Sequence, residues 1–304
     1  MISMVVISKD EPELDATLSG VAAAADAYGA ADGHGEPYEI IVVDASDGRL
    51  DHIAAAHPGV RWIAFERPAG VRVSIPHQRN AGVRAAKGDI VVFTDAGCRP
   101  LDGWLGELLA PIQVDGEDIV AGVAVGPEGA DGLYDAEALR RAEAAYLDEC
   151  PTINLAFRTK VWEAIGGFDE AFEYGSDVDF AWRAIDAGHK IRSAPGSVVT
   201  HHWGDRRRQF KRSFAYGKAR ARLYRKHRSR RGQLLSTEPM VVVYPVFLAG
   251  IPVVLVASVF VPWVLLYPLL LAVPAWRNRR IGAGRVIVDH LAYGAGVLAE
   301  LPSR

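Results

Sequence analysis

The sequence predicts an α/β fold on a largely parallel sheet, followed by a membrane-associated C-terminal third. Up to about residue 125, short β-rich runs alternate with Ala-rich segments that are compatible with helices, which is typical of βα units. Nearly every predicted strand ends in a polar or glycine-containing turn, and open α/β sheets bind ligands at the carboxyl ends of their strands. From residue 206 the sequence becomes first basic and then apolar.

The predicted elements follow in order. Strands are expected at residues 4–8, 39–44, 60–65, 90–94 and 119–125, with helices at 13–28, 50–56, 76–87 and 104–109. Residues 152–200 are less regular, with strands expected at 152–157 and 197–200 and helices at 159–165 and 177–187. The first apolar run lacks a basic n-region and is short for a signal peptide, so we expect a buried strand there.

Composition narrows the class of protein. Half of the 304 residues are hydrophobic, which suffices for a sizeable core, and the formal net charge is -3. The two cysteines, Cys98 and Cys150, are too few for a disulfide framework and lack the spacing of a zinc site. We therefore expect a folded protein of a reducing compartment.

A basic segment covers residues 206–231 and includes Arg206, Arg207, Arg208 and Arg212. Its apolar and small residues fall on one helical face, namely Phe210, Phe214, Gly217, Ala221 and Tyr224. This pattern is typical of a helix on an anionic membrane surface. Binding of nucleic acid is not expected, because a strongly apolar segment follows directly.

The apolar segment covers residues 240–276 and contains five prolines. At ~20 residues per crossing it could supply two short spans with a break near residue 261. Basic residues on both sides favour a hairpin with both ends in the cytoplasm. A re-entrant or interfacial hairpin stays open because proline removes helical hydrogen bonds, and so does a buried helix pair. Residues 286–298 are too short to span and are predicted to be interfacial.

Two predicted strands end in carboxylates. Strand 90–94 delivers Asp95 into a loop that contains Gly97. This suits a divalent cation that bridges diphosphate oxygens, because Mg²⁺ takes only one or two protein carboxylates. Cys98 is a poor ligand for a hard cation and is expected to pack. Asp44 can accept hydrogen bonds from a nucleobase or ribose, or it can serve only as a turn or cap residue.

Four motifs together resemble glycosyltransferase family 2, which has the GT-A fold. Besides the run 5–47, they are Arg-Asn-Ala-Gly at 79–82, Phe-Thr-Asp-Ala-Gly-Cys at 93–98, Gly-Gly-Phe-Asp at 166–169 and Ser-Asp-Val-Asp-Phe-Ala-Trp-Arg at 176–183. The resemblance covers residues 2–202, and the order and spacing of the motifs make it specific. It implies a GT-A Rossmann-like mixed sheet with flanking helices.

The resemblance also implies a nucleotide-diphosphate sugar as the donor. It places Asp44 at the base, with Ser8 and Glu11 nearby, and Arg79 near the base and phosphates. Asp95 corresponds to the first acidic residue of an Asp-x-Asp motif that binds Mg²⁺ or Mn²⁺.

The metal motif departs from the family pattern, because Gly97 stands at the second acidic position. A late metal-binding histidine is implied at His201 or His202. Neighbouring residues of an extended chain point to opposite faces, so only one of the two qualifies.

The acceptor side is implied by the segment after Gly-Gly-Phe-Asp. Asp177 matches the catalytic base, while Ser176 replaces the glutamate that usually precedes it. Asp177 could also be only a helix cap. Asp179, Trp182 and Arg183 complete the helix pattern and are assigned to the acceptor or membrane side.

The resulting hypothesis is an inverting glycosyltransferase at the cytoplasmic membrane face. Residues 1–204 form the catalytic domain, with a nucleotide-sugar half at 1–125 and an acceptor half at 126–204. Residues 205–238 form the basic interfacial segment, and 239–304 form the hairpin and its tail. The acceptor is expected to be a lipid-linked or other cell-envelope glycan. Arg206, Arg207, Arg208 and Arg212 either lie near its phosphate or only hold the domain on anionic lipid.

Two other classes of protein remain to be tested. A nucleotidyltransferase would share the α/β nucleotide site, but the turn after the first strand is not the Gly-rich basic loop such enzymes usually carry. A non-catalytic scaffold that binds nucleotide sugar at the membrane is favoured by the two departures, Gly97 and Ser176.

Overall fold

The computed structural model describes residues 1–31, 37–127, 143–204, 206–277, 279 and 282–302. The chain divides into two compact units, Met1–His202 and Trp203–Arg304. The division falls two residues before the boundary expected at 204. The acceptor half predicted at 126–204 includes residues 128–142, which lie outside the described residues, as do positions 278 and 280 of the basic flank.

The first unit alternates strands and helices. Its described strands are β1 Ile2–Ser8, β2 Tyr38–Asp44, β3 Arg61–Ala64, β4 Ile90–Asp95, β5 Cys98–Pro100, β6 Ile119–Val125, β7 Tyr146–Leu147, β8 Asn154–Arg158 and β9 Ile191–His201. Its helices are α1 Leu14–Ala31, α2 Asp51–Ala56, α3 Ile75–Ala85, α4 Trp104–Gln113, α5 Thr159–Ile165 and α6 Ser176–Asp186. The main predicted elements are present, whereas β5 and β7 were not predicted and β9 is longer than expected.

The described strands form one mixed sheet in the order β3-β2-β1-β4-β8-β6-β9-β5, with β7 beside β9. The first four strands of this order are parallel, which confirms the parallel pattern predicted from the alternating sequence. β8 runs antiparallel to both β4 and β6, and β9 is parallel to β6. The α/β class with a mixed sheet is therefore confirmed.

Four phenylalanines form the aromatic part of the core on one side of this sheet. Phe168 meets Phe93 edge to face, with ring centroids 5.7 Å apart, and stacks on Phe180 at 4.4 Å. Phe157 contacts both Phe93 and Phe180. All four rings are at most 2% exposed. The core thus joins strand β4 to the Gly-Gly-Phe-Asp turn and to helix α6.

The second unit is helical in its described residues. Its elements are α7 Arg206–Lys226, a 3-10 helix Arg228–Gln233, α8 Leu234–Thr237, α9 Met240–Ala257, a 3-10 helix Pro262–Leu271, α10 Ala272–Arg277 and α11 Ala283–Glu300. The backbones of α7 and α11 approach closely at two glycines. A Cβ on Gly217 would collide with the carbonyl oxygen of Tyr293, and one on Gly296 with that of Phe214. Residues 286–298, which were expected to lie at the membrane interface, thus belong to a helix that packs closely against α7.

The residues of α7 that the sequence placed on one lipid-facing stripe differ in their burial. Gly217 and Tyr224 are buried, whereas Phe210 is 47% exposed. Some basic residues of α7 are paired within the unit, since Nε of Arg222 donates to Oε1 of the buried Glu300 at 2.7 Å. Residues 206–208 are exposed, and Arg212 is half-buried.

The apolar segment forms a hairpin of unequal arms. Helix α9 is, among the described helices, the one that is long and apolar enough to cross a membrane by length and composition, and 22% of it is buried. The following 3-10 helix returns along it, because the rings of Phe247 and Tyr267 stack at 4.8 Å and the Tyr267 hydroxyl donates to the Phe247 carbonyl. The predicted second span is therefore a proline-containing 3-10 helix followed by the short α10.

Candidate functional site

Three polar residues end neighbouring parallel strands in the first unit. Ser8 ends β1 directly opposite Asp44 at the end of β2, and Asp95 at the end of β4 lies opposite Ile7. Because the three strands are adjacent and parallel, these side chains share one edge of the sheet, where such sheets bind ligands.

Asp44 is held by a small polar network. It is 4% exposed, and the Ser46 hydroxyl donates to its Oδ1 at 2.5 Å. The backbone N–H of Asp10 donates in turn to Ser46 Oγ at 2.7 Å, and Nε of Arg49 donates to Asp10 Oδ1 at 2.6 Å. Burial raises the pKa of Asp44, and the hydrogen bonds from Ser46 oppose this shift. The hydroxyl of Ser8 beside it is buried without a hydrogen-bond partner among the described residues.

Asp95 begins the loop in which the sequence predicted a cation. Its Oδ1 is buried and has no hydrogen-bond partner among the described residues. Gly97 has φ +91°, and a Cβ placed on it would lie 3.5 Å from the His201 ring and 3.7 Å from Cδ of Glu11. The side chains of Glu11 and His201 therefore flank this loop. A left-handed φ strains any other residue, which is a physical reason for glycine at the second acidic position.

The donor set near Asp95 is small. Within the residues that the structure describes, no group of three His, Cys, Asp or Glu side chains could hold a metal ion. An unpaired buried carboxylate oxygen with one histidine nearby nevertheless fits a hard divalent cation that takes its other ligands from phosphate and water. Of the two candidate histidines, His201 faces the loop, whereas His202 is exposed.

Cys98 supports this loop. The short strand β5 pairs Cys98 with His201 in β9, and Cys98 Sγ lies 3.7 Å from His201 Nδ1. The thiol is fully buried, and burial raises its pKa to about 12, with Asp95 contributing in the same direction. It therefore stays protonated, in agreement with the packing role expected from the sequence.

Helix α3 connects the strand ends to the rest of the site. Gln78 donates from Nε2 to the carbonyl oxygens of Ser8, at 2.9 Å, and of Val43, at 3.2 Å. A Cβ on Gly82 would lie 2.3 Å from Cγ1 of Val5, so glycine permits the helix to lie directly on β1. Sequence reasoning missed the role of Gln78, which precedes the Arg-Asn-Ala-Gly motif.

Asn80 of the same motif is a second residue that sequence reasoning did not assign. Its Oδ1 accepts from the Phe168 backbone N–H at 2.8 Å and from Trp162 Nε1 at 3.0 Å. Its Nδ2 donates to the Phe168 carbonyl and to Glu170 Oε1, both at 2.9 Å. The sequence signal that could have identified Asn80 is its position in the Arg-Asn-Ala-Gly motif, because the neighbouring Arg79 lies at the site.

Asp177 lies in the first turn of α6, beside Arg79 of α3. Arg79 is 6% exposed and donates from Nη1 to Ser176 Oγ at 3.2 Å. Burial raises the pKa of Asp177, while the charge of Arg79 lowers it. The structure thus brings together residues of two motifs, namely Arg79 of Arg-Asn-Ala-Gly and Ser176 and Asp177 of the segment 176–183.

Asp179, Trp182 and Arg183, which the sequence assigned to the acceptor or membrane side, lie among contacts within the first unit. Asp179 is fully buried and accepts from Nε of Arg183 at 2.7 Å, and Trp182 is 4% exposed. The other two guanidinium nitrogens of Arg183 donate to the carbonyl oxygens of Ile165 and Gly167, each at 2.7 Å. Asp179 and Arg183 therefore support the turn 165–167.

The remaining candidates, Arg206, Arg207, Arg208 and Arg212, belong to the second unit. They lie in the first turns of α7, and three of them are exposed.

Similar proteins support this architecture. A mannosyltransferase from Pyrobaculum calidifontis, solved in complex with GDP-Man and Mn²⁺, superposes with a TM-score of 0.69 at 17% identity and covers 99% of this chain and 86% of that one. At this identity the likeness establishes the fold, which is GT-A. Residues 150–276 match the model of glycosyl transferase family group 2.

Two relatives are similar in sequence. Pre-mycofactocin glycosyltransferase of Mycobacterium tuberculosis is 30% identical over 207 residues, which cover 62% of this chain and 43% of the relative. Glycosyltransferase AglE of Haloferax volcanii is 26% identical over 198 residues, with 62% and 64% covered. The chain thus spans less than two thirds of the length of either relative. Residues 3–168, more than half of the 304, match the model of glycosyl transferase family 2, and the chain therefore belongs to that family.

Proposed function

We propose that the protein transfers a sugar from a nucleotide-diphosphate sugar to an acceptor hydroxyl with inversion at the anomeric carbon. The observation that carries this proposal is the arrangement of the first unit. Asp44 and Asp95 end the two strands that flank β1. Helix α3 joins the ends of β1 and β2, through Gln78, to the start of α6, where Asp177 lies beside Arg79. The first unit thus contains both the sheet edge proposed to bind the nucleotide and a candidate general base, Asp177.

The donor binds at the strand ends. The Asp44 carboxylate accepts hydrogen bonds from the base or ribose, and the Ser8 hydroxyl can accept or donate there. Glu11 lies toward the phosphates, beside the Asp95 loop. The unpaired oxygens, Ser8 Oγ and Asp95 Oδ1, support this assignment because an unsatisfied buried polar atom costs free energy until a ligand pairs it. The GDP-Man complex of the Pyrobaculum calidifontis mannosyltransferase supports the donor class.

A divalent cation, Mg²⁺ or Mn²⁺, would be held by Asp95 and His201. When bound, it would neutralise charge on the diphosphate leaving group. The Mn²⁺ in the same mannosyltransferase complex supports a cation in this fold.

Asp177 acts as general base. Its carboxylate takes the proton of the acceptor hydroxyl, whose oxygen forms a bond to the anomeric carbon while the bond from that carbon to the phosphate oxygen breaks. The electron pair leaves with the nucleoside diphosphate. A single displacement inverts the anomeric centre, and one carboxylate base suffices for it.

The second unit holds the protein at the cytoplasmic membrane face. The apolar residues of α9 and of the returning 3-10 helix are largely exposed, for example Val253 at 67% and Leu269 at 63%. Exposure of this extent over a continuous segment is typical of a surface that lipid covers. A lipid-linked acceptor is then within the same interface, where the exposed residues Arg206, Arg207 and Arg208 are suited to phosphate.

A second candidate function is a scaffold that binds nucleotide sugar without turnover. It is favoured by the two departures from the family pattern, Gly97 and Ser176. It requires that the donor bind and that no transfer follow.

The test is a donor panel of UDP-glucose, UDP-N-acetylgalactosamine and GDP-mannose, each with Mg²⁺ or Mn²⁺, added to the full-length protein in detergent. A ligand that binds the folded state raises the melting temperature. Release of nucleoside diphosphate is then measured for wild type and Asp177→Asn. We expect cation-dependent binding by both proteins and turnover by wild type alone. Binding by both without turnover by either would establish the scaffold, and no binding would overturn the donor assignment.

A further inference from the structure

Arg79 is a buried cation whose guanidinium is fixed by contacts with two residues. Its guanidinium donates to the Ser176 hydroxyl at 3.2 Å and lies over the ring of Phe168, 5.6 Å from the centroid. The side chain is 6% exposed, and Nε is buried without a hydrogen-bond partner among the described residues. A charge that is held at this depth acts strongly on its neighbours, because water screens it poorly.

The neighbour on which it acts is Asp177. Asp177 directly follows Ser176, to which the guanidinium donates, and among the described residues the charged groups that most influence its pKa are Arg79 of α3 and Glu149 of the segment before β8. Burial is the largest influence and raises the pKa of Asp177. Arg79 and the backbone N–H groups of Val178 and Asp177 lower it, and Glu149 raises it. Without Arg79, burial and Glu149 would favour the protonated form, which cannot accept a proton, and the backbone N–H groups of Val178 and Asp177 would remain to oppose them.

We propose that Arg79 is a positioning residue for Asp177: anchored on Ser176 and Phe168 at the start of α6, its guanidinium favours the charged form of the neighbouring carboxyl, which is the form that can act as a base. This inference rests on the proposed function, in which Asp177 is that base. It differs from the place that the resemblance implies for Arg79, near the base and phosphates of the donor.

This arrangement gives a physical reason for serine, instead of the family's glutamate, at position 176. The resemblance places a glutamate there, and a glutamate would pair with Arg79 and cancel much of its charge. The Ser176 hydroxyl accepts a hydrogen bond from the guanidinium but brings no negative charge. The departure from the family pattern therefore leaves the full charge of Arg79 to act on Asp177.

The experiment uses the full-length protein in detergent with the donor that binds best among UDP-glucose, UDP-N-acetylgalactosamine and GDP-mannose. Slow donor hydrolysis, in which water replaces the acceptor, is followed as nucleoside diphosphate release from pH 4.5 to 9. The variants are Arg79→Gln, Arg79→Lys and Ser176→Ala. The control is Arg84→Gln, which removes an exposed charge from the same helix. Donor affinity is measured for each variant by titration.

For Arg79→Gln, we expect the pH below which kcat/KM falls to move up by about one unit or more, since an opposite charge shifts a carboxyl pKa by ~1–3 units. Its rate should approach that of wild type at high pH, and its donor affinity should change little. Arg79→Lys, which keeps the charge, should restore most of the profile. Ser176→Ala should shift it less than Arg79→Gln, and Arg84→Gln should leave it unchanged.

A different outcome would overturn the inference. If Arg79→Gln weakens donor binding about tenfold while the pH profile stays in place, Arg79 binds the donor and does not position Asp177. If Arg79→Gln does not fold, the profiles of Arg79→Lys and Ser176→Ala decide, and an unchanged profile in Ser176→Ala counts against the anchor. If Asp177→Asn keeps the wild-type rate and profile, the proposed base is wrong, which is a separate failure.

Discussion

Asn80 and Phe168, which are 88 positions apart in the chain, are joined by two reciprocal hydrogen bonds. Asn80 donates from Nδ2 to the Phe168 carbonyl at 2.9 Å and accepts from the Phe168 N–H at 2.8 Å. The pair holds the Gly-Gly-Phe-Asp turn against helix α3. Arg79 lies on this helix, and Asp177 lies at the start of α6, the helix that follows the turn.

Replacing Asn80 should therefore destabilise the first unit. In Asn80→Ala the Phe168 N–H and carbonyl and the Trp162 indole N–H lose their partner, and we expect a loss of roughly 3 kcal/mol. Urea denaturation of the full-length protein, followed by tryptophan fluorescence, measures this loss. Gln113→Ala removes an exposed amide and should cost less than about 0.5 kcal/mol. Equal effects of the two substitutions would contradict the role given to Asn80.

Replacing Gly82 tests the packing of α3 on β1, and replacing Gly59 serves as the control. A Cβ on Gly82 would lie 2.3 Å from Cγ1 of Val5, whereas a Cβ on Gly59 meets nothing within 4 Å. We expect Gly82→Ala to destabilise by about 1–3 kcal/mol through overpacking, and Gly59→Ala to be near neutral or slightly stabilising. The melting temperatures of both variants provide the measurement. A neutral Gly82→Ala would mean that α3 does not lie directly on the strand.

Asp95→Asn tests the cation site. The amide keeps the size of the side chain but loses the charge, so we expect Mn²⁺ to stop raising the melting temperature in the presence of donor. Turnover should fall by about 100-fold or more. Asp89→Asn, at an exposed position just before the same strand, should behave like wild type. A cation response that survives in Asp95→Asn would place the cation elsewhere.

Asp177→Asn should raise stability in a pH-dependent way. Because burial raises the pKa of Asp177 above its ordinary 3.8, the folded protein binds this proton more tightly than the unfolded chain does. The resulting stability is fully present below the ordinary pKa and is lost as pH rises through the raised value. Asparagine has no such loss, so its advantage in melting temperature should grow as pH increases from about 4 to 8.

The matched control for this pH series is Asp148→Asn, which removes an exposed carboxylate. Its melting temperature should follow that of wild type at every pH. A constant difference between Asp177→Asn and wild type across the series would argue against a raised pKa of the Asp177 carboxyl.

Arginine in the exposed apolar hairpin should weaken membrane attachment. Val253 and Leu269 are 67% and 63% exposed, and an arginine in the apolar layer costs about 2.5–3.5 kcal/mol. We expect Val253→Arg and Leu269→Arg together to reduce flotation with phosphatidylglycerol-containing vesicles. Val114→Arg changes a residue of the first unit that is 82% exposed and should float normally. Normal flotation of the hairpin variant would exclude lipid as the cover of this segment.

Local pattern was sufficient to predict much of the fold. Each central strand is a short apolar run that ends in a polar turn, and alternation with helices predicts parallel pairing. Strand ends therefore placed Asp44 and Asp95 at the same edge of the sheet. The short β5 was missed because three residues carry no periodicity, although its pairing brings His201 to the Asp95 loop.

Local spacing left open the contacts that form between distant segments. Helical spacing placed Asp179, Trp182 and Arg183 beside Asp177 and suggested a shared role, but spacing does not reveal which face of a helix meets the core. In α7 the same limit applies, since Gly217 permits a close approach to α11 that no local pattern indicates.

The sequence by itself determined the order of elements, the acidic strand ends and the apolar C-terminal segment, because propensity, hydrophobic period and turn chemistry act over a few residues. Only the tertiary structure decided that Asn80 holds the Phe168 turn, that His201 rather than His202 faces Gly97, and that Arg79 sits on Ser176 beside Asp177. Those relationships arise from packing and desolvation, which depend on what the whole fold brings together.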